Sequence, residues 1–275
     1  MTTFISIIVF ILGAAIGSFL SVVVYRLNQK TKGMISGRSY CPHCKSKLKW
    51  RHMIPIISWI ALSGRCNSCA KRISSHYLVM ELITGLFFVA AFLQWNFLVP
   101  TTSTVSADIL TYVVDWVNLE KFIFYIVEFS FLIAIFFYDL MHKEIPDQLS
   151  LPAIVIAITG GLLMGEPVWS SMLIGGLGIG GFFLLQFVLS QGKWIGGGDI
   201  RLGVLIGVLL GWQHGVLAVV FAYFIGAFIG VILLLKKTVN RKSEIAFGPF
   251  LITGVVLSLF FGEQFLNWYF NYLMF

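Results

Sequence analysis

Two aspartates and a run of glycines raise the first chemical question in this chain. Lys193-Trp194-Ile195-Gly196-Gly197-Gly198-Asp199-Ile200-Arg201 separates two long apolar runs, and Asp139 closes a third, Phe131 to Tyr138. An ionised Asp within a membrane span costs about 2.5–3.5 kcal/mol on insertion scales, so such groups tend to be kept for a function. Two carboxylates brought together at the rim of a low-dielectric bundle resist ionising together, and one keeps its proton while its partner stays charged. An aspartic protease divides its labour in this way: one carboxylate activates water, and the other protonates or hydrogen-bonds the scissile carbonyl. The glycines suit the same chemistry, because Gly196, Gly197 and Gly198 offer no side chain to obstruct an extended substrate approaching Asp199. Either aspartate alone reads equally well as a helix cap or the partner of a nearby lysine. Asp147, directly after Ile145-Pro146, reads as helix-start chemistry with a capping or positioning role.

A second constellation is metallic. All four cysteines fall in Cys41-Pro-His-Cys44 and Cys66-Asn-Ser-Cys69, with 21 residues between the pairs. Two such knuckles supply four thiolates able to close tetrahedrally around zinc, where a lone pair would suit a redox site equally. His43 and His52 lie nearby, but Cys41, Cys44, Cys66 and Cys69 already satisfy the metal. A closed four-thiolate site has no open position for water, so the expected zinc is structural. An insert of about 50 residues has too little apolar surface to fold unaided.

These residues must be positioned by membrane-spanning helices. The chain is 58% hydrophobic and 11% charged, with a mean hydropathy of +0.91, whereas soluble domains carry about 25% charged residues. Apolar runs of bilayer length predict eight spans: Phe4–Tyr25, Tyr77–Leu98, Phe122–Tyr138, Asp147–Met164, Val168–Leu189, Ile200–Trp212, Val216–Leu235 and Ile245–Phe261. The first lacks a preceding Lys or Arg and exceeds a signal-peptide core in length, so it reads as a retained span. The expected organisation is a first helix over 1–25, a zinc-binding insert over 26–76 and a protease core over 77–275. In fold class this is an all-α polytopic membrane protein.

Eleven of the 19 Lys and Arg residues lie between the first two spans. By the positive-inside rule that insert is cytoplasmic and the N-terminus faces out. Alternation then leaves Lys121 as the lone outer cation, while Asp139 and Asp199 come to the inner face at similar depth. The net charge of +7 is on this reading a topological signal, not a mark of nucleic-acid binding. Gly176-Leu-Gly178-Ile-Gly180-Gly181 matches a dinucleotide-binding string literally, yet no strand accompanies it, and close helix packing explains it better. Glu128, midway along the third span, is expected to be protonated and hydrogen-bonded. Glu81, early in the second, is a functional candidate or the partner of Lys71 or Arg72.

Together the motifs resemble the type IV prepilin peptidase family. Asp139-Leu-Met-His-Lys-Glu-Ile-Pro146-Asp147 resembles its first aspartate followed by Pro-Asp, and Gly196-Gly197-Gly198-Asp199 resembles its GxGD signature. Gly17-Ser18-Phe19, Val22-Val23-Val24-Tyr25-Arg26, the paired CxxC knuckles and Phe247-Gly248-Pro249 are also similar, so the likeness covers nearly the whole chain. Tyr138-Asp139 with GxGD is similar to the wider intramembrane aspartyl proteases too. The resemblance implies that Asp139 and Asp199 are the catalytic pair of a bacterial inner-membrane enzyme. It also implies cleavage of type IV prepilin or pseudopilin precursors at the cytoplasmic face, after a glycine. N-methylation of the new N-terminal residue by S-adenosylmethionine would follow. From another class, a non-enzymatic receptor or transporter component whose zinc insert docks a partner is the alternative.

Overall fold

The computed structural model describes residues 2–29, 39–41, 43–102, 110–236 and 245–273. The chain divides into two compact units, Met1–Ala134 and Ile135–Phe275. Among the described residues, seven helices are long and apolar enough to cross a membrane.

In the first unit, α1 (Thr2–Asn28) packs against α3 (Ser75–Gln94). Contact is backbone to backbone: a Cβ on Gly17 would lie 2.8 Å from the Cα of Glu81. Between them lie a 3₁₀ turn (Trp50–Met53) and the short α2 (Ile57–Ala61). The second span ends earlier than expected, at Gln94, because the following residues form an antiparallel hairpin. Its strands are β1 (Leu98–Thr102) and β2 (Leu110–Val114), with Leu98 opposite Val114. Val and Thr are frequent in both, and such β-branched residues favour extended backbone. Asp115 then caps α4 (Trp116–His142), its Oδ1 accepting from the amides of Val117 and Asn118 at 3.0 and 3.2 Å.

The second unit holds the end of α4, then α5 (Asp147–Met164), α6 (Trp169–Ser190), α7 (Gly197–Leu235) and α8 (Gly248–Leu273). Helix α7 is the hub, in contact with α5, α6 and α8. It joins the expected sixth and seventh spans, but Gly211 interrupts it with φ 73° and ψ 178°, a conformation open to glycine. There the chain doubles back. A Cβ on Gly215 would lie 3.4 Å from the Cα of Gly207, whereas eight residues of straight helix span about 12 Å. The Ser171 hydroxyl accepts the Trp212 amide freed by the break, at 3.1 Å. The small residues of α6 serve close packing: a Cβ on Gly175 would meet the Gly207 carbonyl oxygen at 2.5 Å.

Candidate active site

Asp139 lies in the last turn of α4 and is 4% exposed. Its Oδ2 accepts the Gly248 amide at 2.9 Å, 109 residues away in sequence. Helix α4 ends at His142, and the next residue, Lys143, takes a left-handed conformation (φ 56°) and donates its amide to the Asp139 carbonyl. Asp199 stands at the third position of α7 and is 8% exposed. Its Oδ2 turns back to accept the Gly196 amide at 3.0 Å, the way an acid at this position satisfies an orphan donor at a helix start.

The structure therefore brings Asp139 and Asp199 onto one cavity of about 540 Å³, within the second unit. Loop 192–196, the α4–α5 turn and residues 245–247 form its walls. Each acid holds one backbone amide on Oδ2, and Oδ1 has no protein donor among the described residues. Two buried carboxylates, each fixed through one oxygen, thus face one cavity.

The three glycines separate into different roles. Gly196 precedes α7, the position of a Cβ on Gly197 is open space, and Gly198 is covered by Ile145, whose Cβ lies 2.7 Å from where a Cβ on Gly198 would sit. Asp147 opens α5 and pairs with Arg201, which also donates to the Ile145 carbonyl at 3.1 Å. Gly248, Ile145 and Arg201 were not singled out as site residues by the sequence reading. For Gly248 a signal existed, since the following Pro249 is typical of a helix start.

In the first unit, the cysteines converge. Their four sulfurs lie within 4.8 Å of one another, close to the separation of about 3.8 Å that tetrahedral ligands at 2.3 Å from zinc require. Both knuckles fold the same way. The Cys41 and Cys66 amides donate to the carbonyls of Ser46 and Lys71, and the Cys41 and Cys66 carbonyls accept from Lys45 and Ala70. Lys45 and Ala70 share a left-handed φ, 57° and 56°. The Ser46 hydroxyl, 3.0 Å from Cys44 Sγ, together with the Ser46 backbone, pulls the Cys44 thiol down to about 6, which favours the metal-binding thiolate.

Beside the knuckles a cavity of about 810 Å³ is lined by Tyr25, Arg26, Trp59, Arg65, Tyr77 and Glu81, among others. Glu81 does not rely on Lys71 or Arg72. Its Oε2 accepts the Ile56 amide at 2.7 Å, and Ile56 is held at φ 63° and ψ −56° in a tight turn that a β-branched residue rarely adopts. Glu128 departs from expectation: it is fully buried, yet neither carboxyl oxygen has a hydrogen-bond partner among the described residues.

Residues 11–95 match the model of the bacterial peptidase A24 N-terminal domain, and residues 126–231 that of the type IV leader peptidase family. A prepilin leader peptidase/N-methyltransferase of Aeromonas hydrophila is 31% identical over 95% of this chain and 92% of its own. This chain belongs to the type IV leader peptidase family. Relatives bearing the same description in Pseudomonas aeruginosa (27% identical, 95% of this chain and 92% of theirs) and Bacillus subtilis (28%, 95% and 96%) extend the match. No solved structure matches the chain. As a member of the family it is a multi-pass inner-membrane enzyme, both a peptidase and an N-methyltransferase.

Proposed function

We propose that Asp139 and Asp199 are the catalytic dyad that removes the leader of type IV prepilin-like or pseudopilin precursors. The observation that carries this reading is the shared cavity, in which both acids are buried and each is anchored by one amide. A precursor held by its own apolar helix would diffuse in the membrane plane and present its leader to the cavity. One carboxylate takes a proton from water as its oxygen attacks the scissile carbonyl, and the protonated partner supports the developing oxyanion and then protonates the leaving amine. Open space at Gly197 leaves an approach beside Asp199. By the distribution of basic residues, the cavity and the zinc insert face the cytoplasm and the N-terminus faces out.

Methyl transfer belongs on this reading to the cavity of the first unit, whose volume of about 810 Å³ suits a cofactor of nucleoside size. The residues fit S-adenosylmethionine, which would supply a methyl group to the new N-terminal amine. Glu81 would face positive charge, Arg26 or Arg65 the donor's carboxylate, and Tyr25, Trp59 or Tyr77 its ring. The four thiolates hold zinc as a structural ion.

The test is incubation of a purified precursor with wild-type enzyme and with Asp139→Asn and Asp199→Asn. Cleavage should vanish in both variants while methylation of an already cleaved substrate persists. Normal cleavage by either variant removes the dyad.

A further inference from the structure

We infer that Ile145, clamped by Arg201, is the spacer that sets the separation of the two active-site carboxylates. Its side chain, 8% exposed, occupies the space between two glycine backbones. On one side it fills the place a methyl group on Gly198 would need, directly before Asp199. On the other its Cδ1 reaches to 3.4 Å from where a Cβ on Gly248 would sit, and the Gly248 amide holds Asp139. One isoleucine thus touches the backbone that carries one acid and the backbone that fixes the other. A β-branched side chain suits a spacer, because its χ1 is stiff.

The isoleucine is itself held. Arg201, two residues beyond Asp199 on α7, donates Nη2 to the Ile145 carbonyl at 3.1 Å and pairs Nη1 with Asp147 Oδ1. The planar guanidinium can bind both acceptors at once, which an ammonium on a flexible stem does less rigidly. Side chains of Arg201 and Asp147 are 34% and 56% exposed, and exposed ion pairs contribute little to stability. Geometry is what this pair supplies. It ties the starts of α5 and α7 to the turn leaving α4, so Ile145 cannot withdraw without releasing three helix ends.

Ile145 and Arg201 are positioning residues, and their role rests on the dyad reading. It is tested with Ile145→Val, Ile145→Ala, Arg201→Lys and Arg201→Met in the full-length enzyme, measuring kcat, KM and the pH dependence of kcat for precursor cleavage. Removing the spacer lets the two backbones close on the vacated space, and coupling between two carboxylates strengthens as they approach, so the two limbs of the profile should move apart. Lys143, Glu144, Lys193 and Arg201 line the cavity, Asp147 faces it through its pair with Arg201, and Tyr223 interacts electrostatically with Asp199. Because Arg201→Met removes one of these charges itself, Ile145→Ala, which removes none, carries the comparison.

For Ile145→Ala the expected result is a fall in kcat of about 10–100-fold, with KM within about threefold. Ile145→Val should shift the limbs less, in the same direction, and Arg201→Lys should recover part of what Arg201→Met loses. A thermal melt of each purified variant in detergent reports its folded fraction. Wild-type limbs in Ile145→Ala, or a loss of kcat no larger than the loss of folded protein, overturn the spacer. Should Ile145→Ala fail to fold, unshifted limbs in Ile145→Val do so instead. Cleavage by Asp139→Asn or Asp199→Asn removes the dyad reading itself, whereas inactive Asn variants beside an unshifted Ile145 series remove the spacer alone.

Discussion

Gly248→Ala isolates the contact on which Asp139 depends. A Cβ at position 248 would lie 2.6 Å from Asp139 Oδ2 and 3.2 Å from its Cγ. Ordinary contact begins near 3.4 Å, so the carboxylate or the start of α8 must give by about 0.8 Å. Either movement strains the 2.9 Å bond from the Gly248 amide. A hydrogen bond to a charged group contributes about 1.5–3 kcal/mol, and misplacing a reacting group by about 1 Å can cost about 10²-fold in rate. Both routes give a fall in kcat of about 10–100-fold. The loss should appear in kcat with KM nearly constant, because the methyl group meets the acid and leaves the open side of the cavity at Gly197 untouched. The assay is cleavage of a purified precursor in detergent, with the melting temperature of each protein as the control for folding. A kcat within twofold of wild type would show that the amide contact does not orient Asp139.

Two further outcomes follow from buried polar groups and from the metal site. Glu128→Leu should raise thermal stability in detergent, by about 1–3 kcal/mol, because it removes a buried carboxyl that lacks any partner; a lower melting temperature would reveal a partner that the described residues do not contain. Cys41→Ser/Cys66→Ser should abolish stoichiometric zinc in elemental analysis of the purified protein, since it takes one thiolate from each knuckle. Full zinc content in that variant would refute the four-thiolate site.

Much of this was legible in the residues. The limits of α5, Asp147–Met164, coincide with the sequence reading because Pro146 stops the preceding turn and Gly165 closes the helix in a left-handed conformation. The knuckle spacing foretold four convergent sulfurs. Helix α8 was read too short, ending at Phe261, since Glu263 and Gln264 interrupt the apolar run while the helix continues to Leu273. Hydropathy registers apolarity, not backbone hydrogen bonding. The alternation of spans put the two acids on one face, but no periodicity could disclose that Gly248 holds one of them from 109 residues away. Ile145 looked like one more apolar residue in a loop, and Arg201 like one more inner-face cation. Contacts of this kind depend on which helix ends meet, and local patterns do not encode that.

The turn at Gly211 has a bearing on how the dyad comes to exist. Drawn out straight, the 39 residues of α7 would run about 58 Å, far beyond the thickness of a bilayer. Residue 236 would then emerge on the opposite face from Asp199, carrying Gly248 away with it. The fold-back returns the polypeptide to the leaflet it came from, and only so can the Gly248 amide reach Asp139. A single residue inside α7, remote from Asp139, thereby decides whether the helix start that anchors this acid arrives on the correct side.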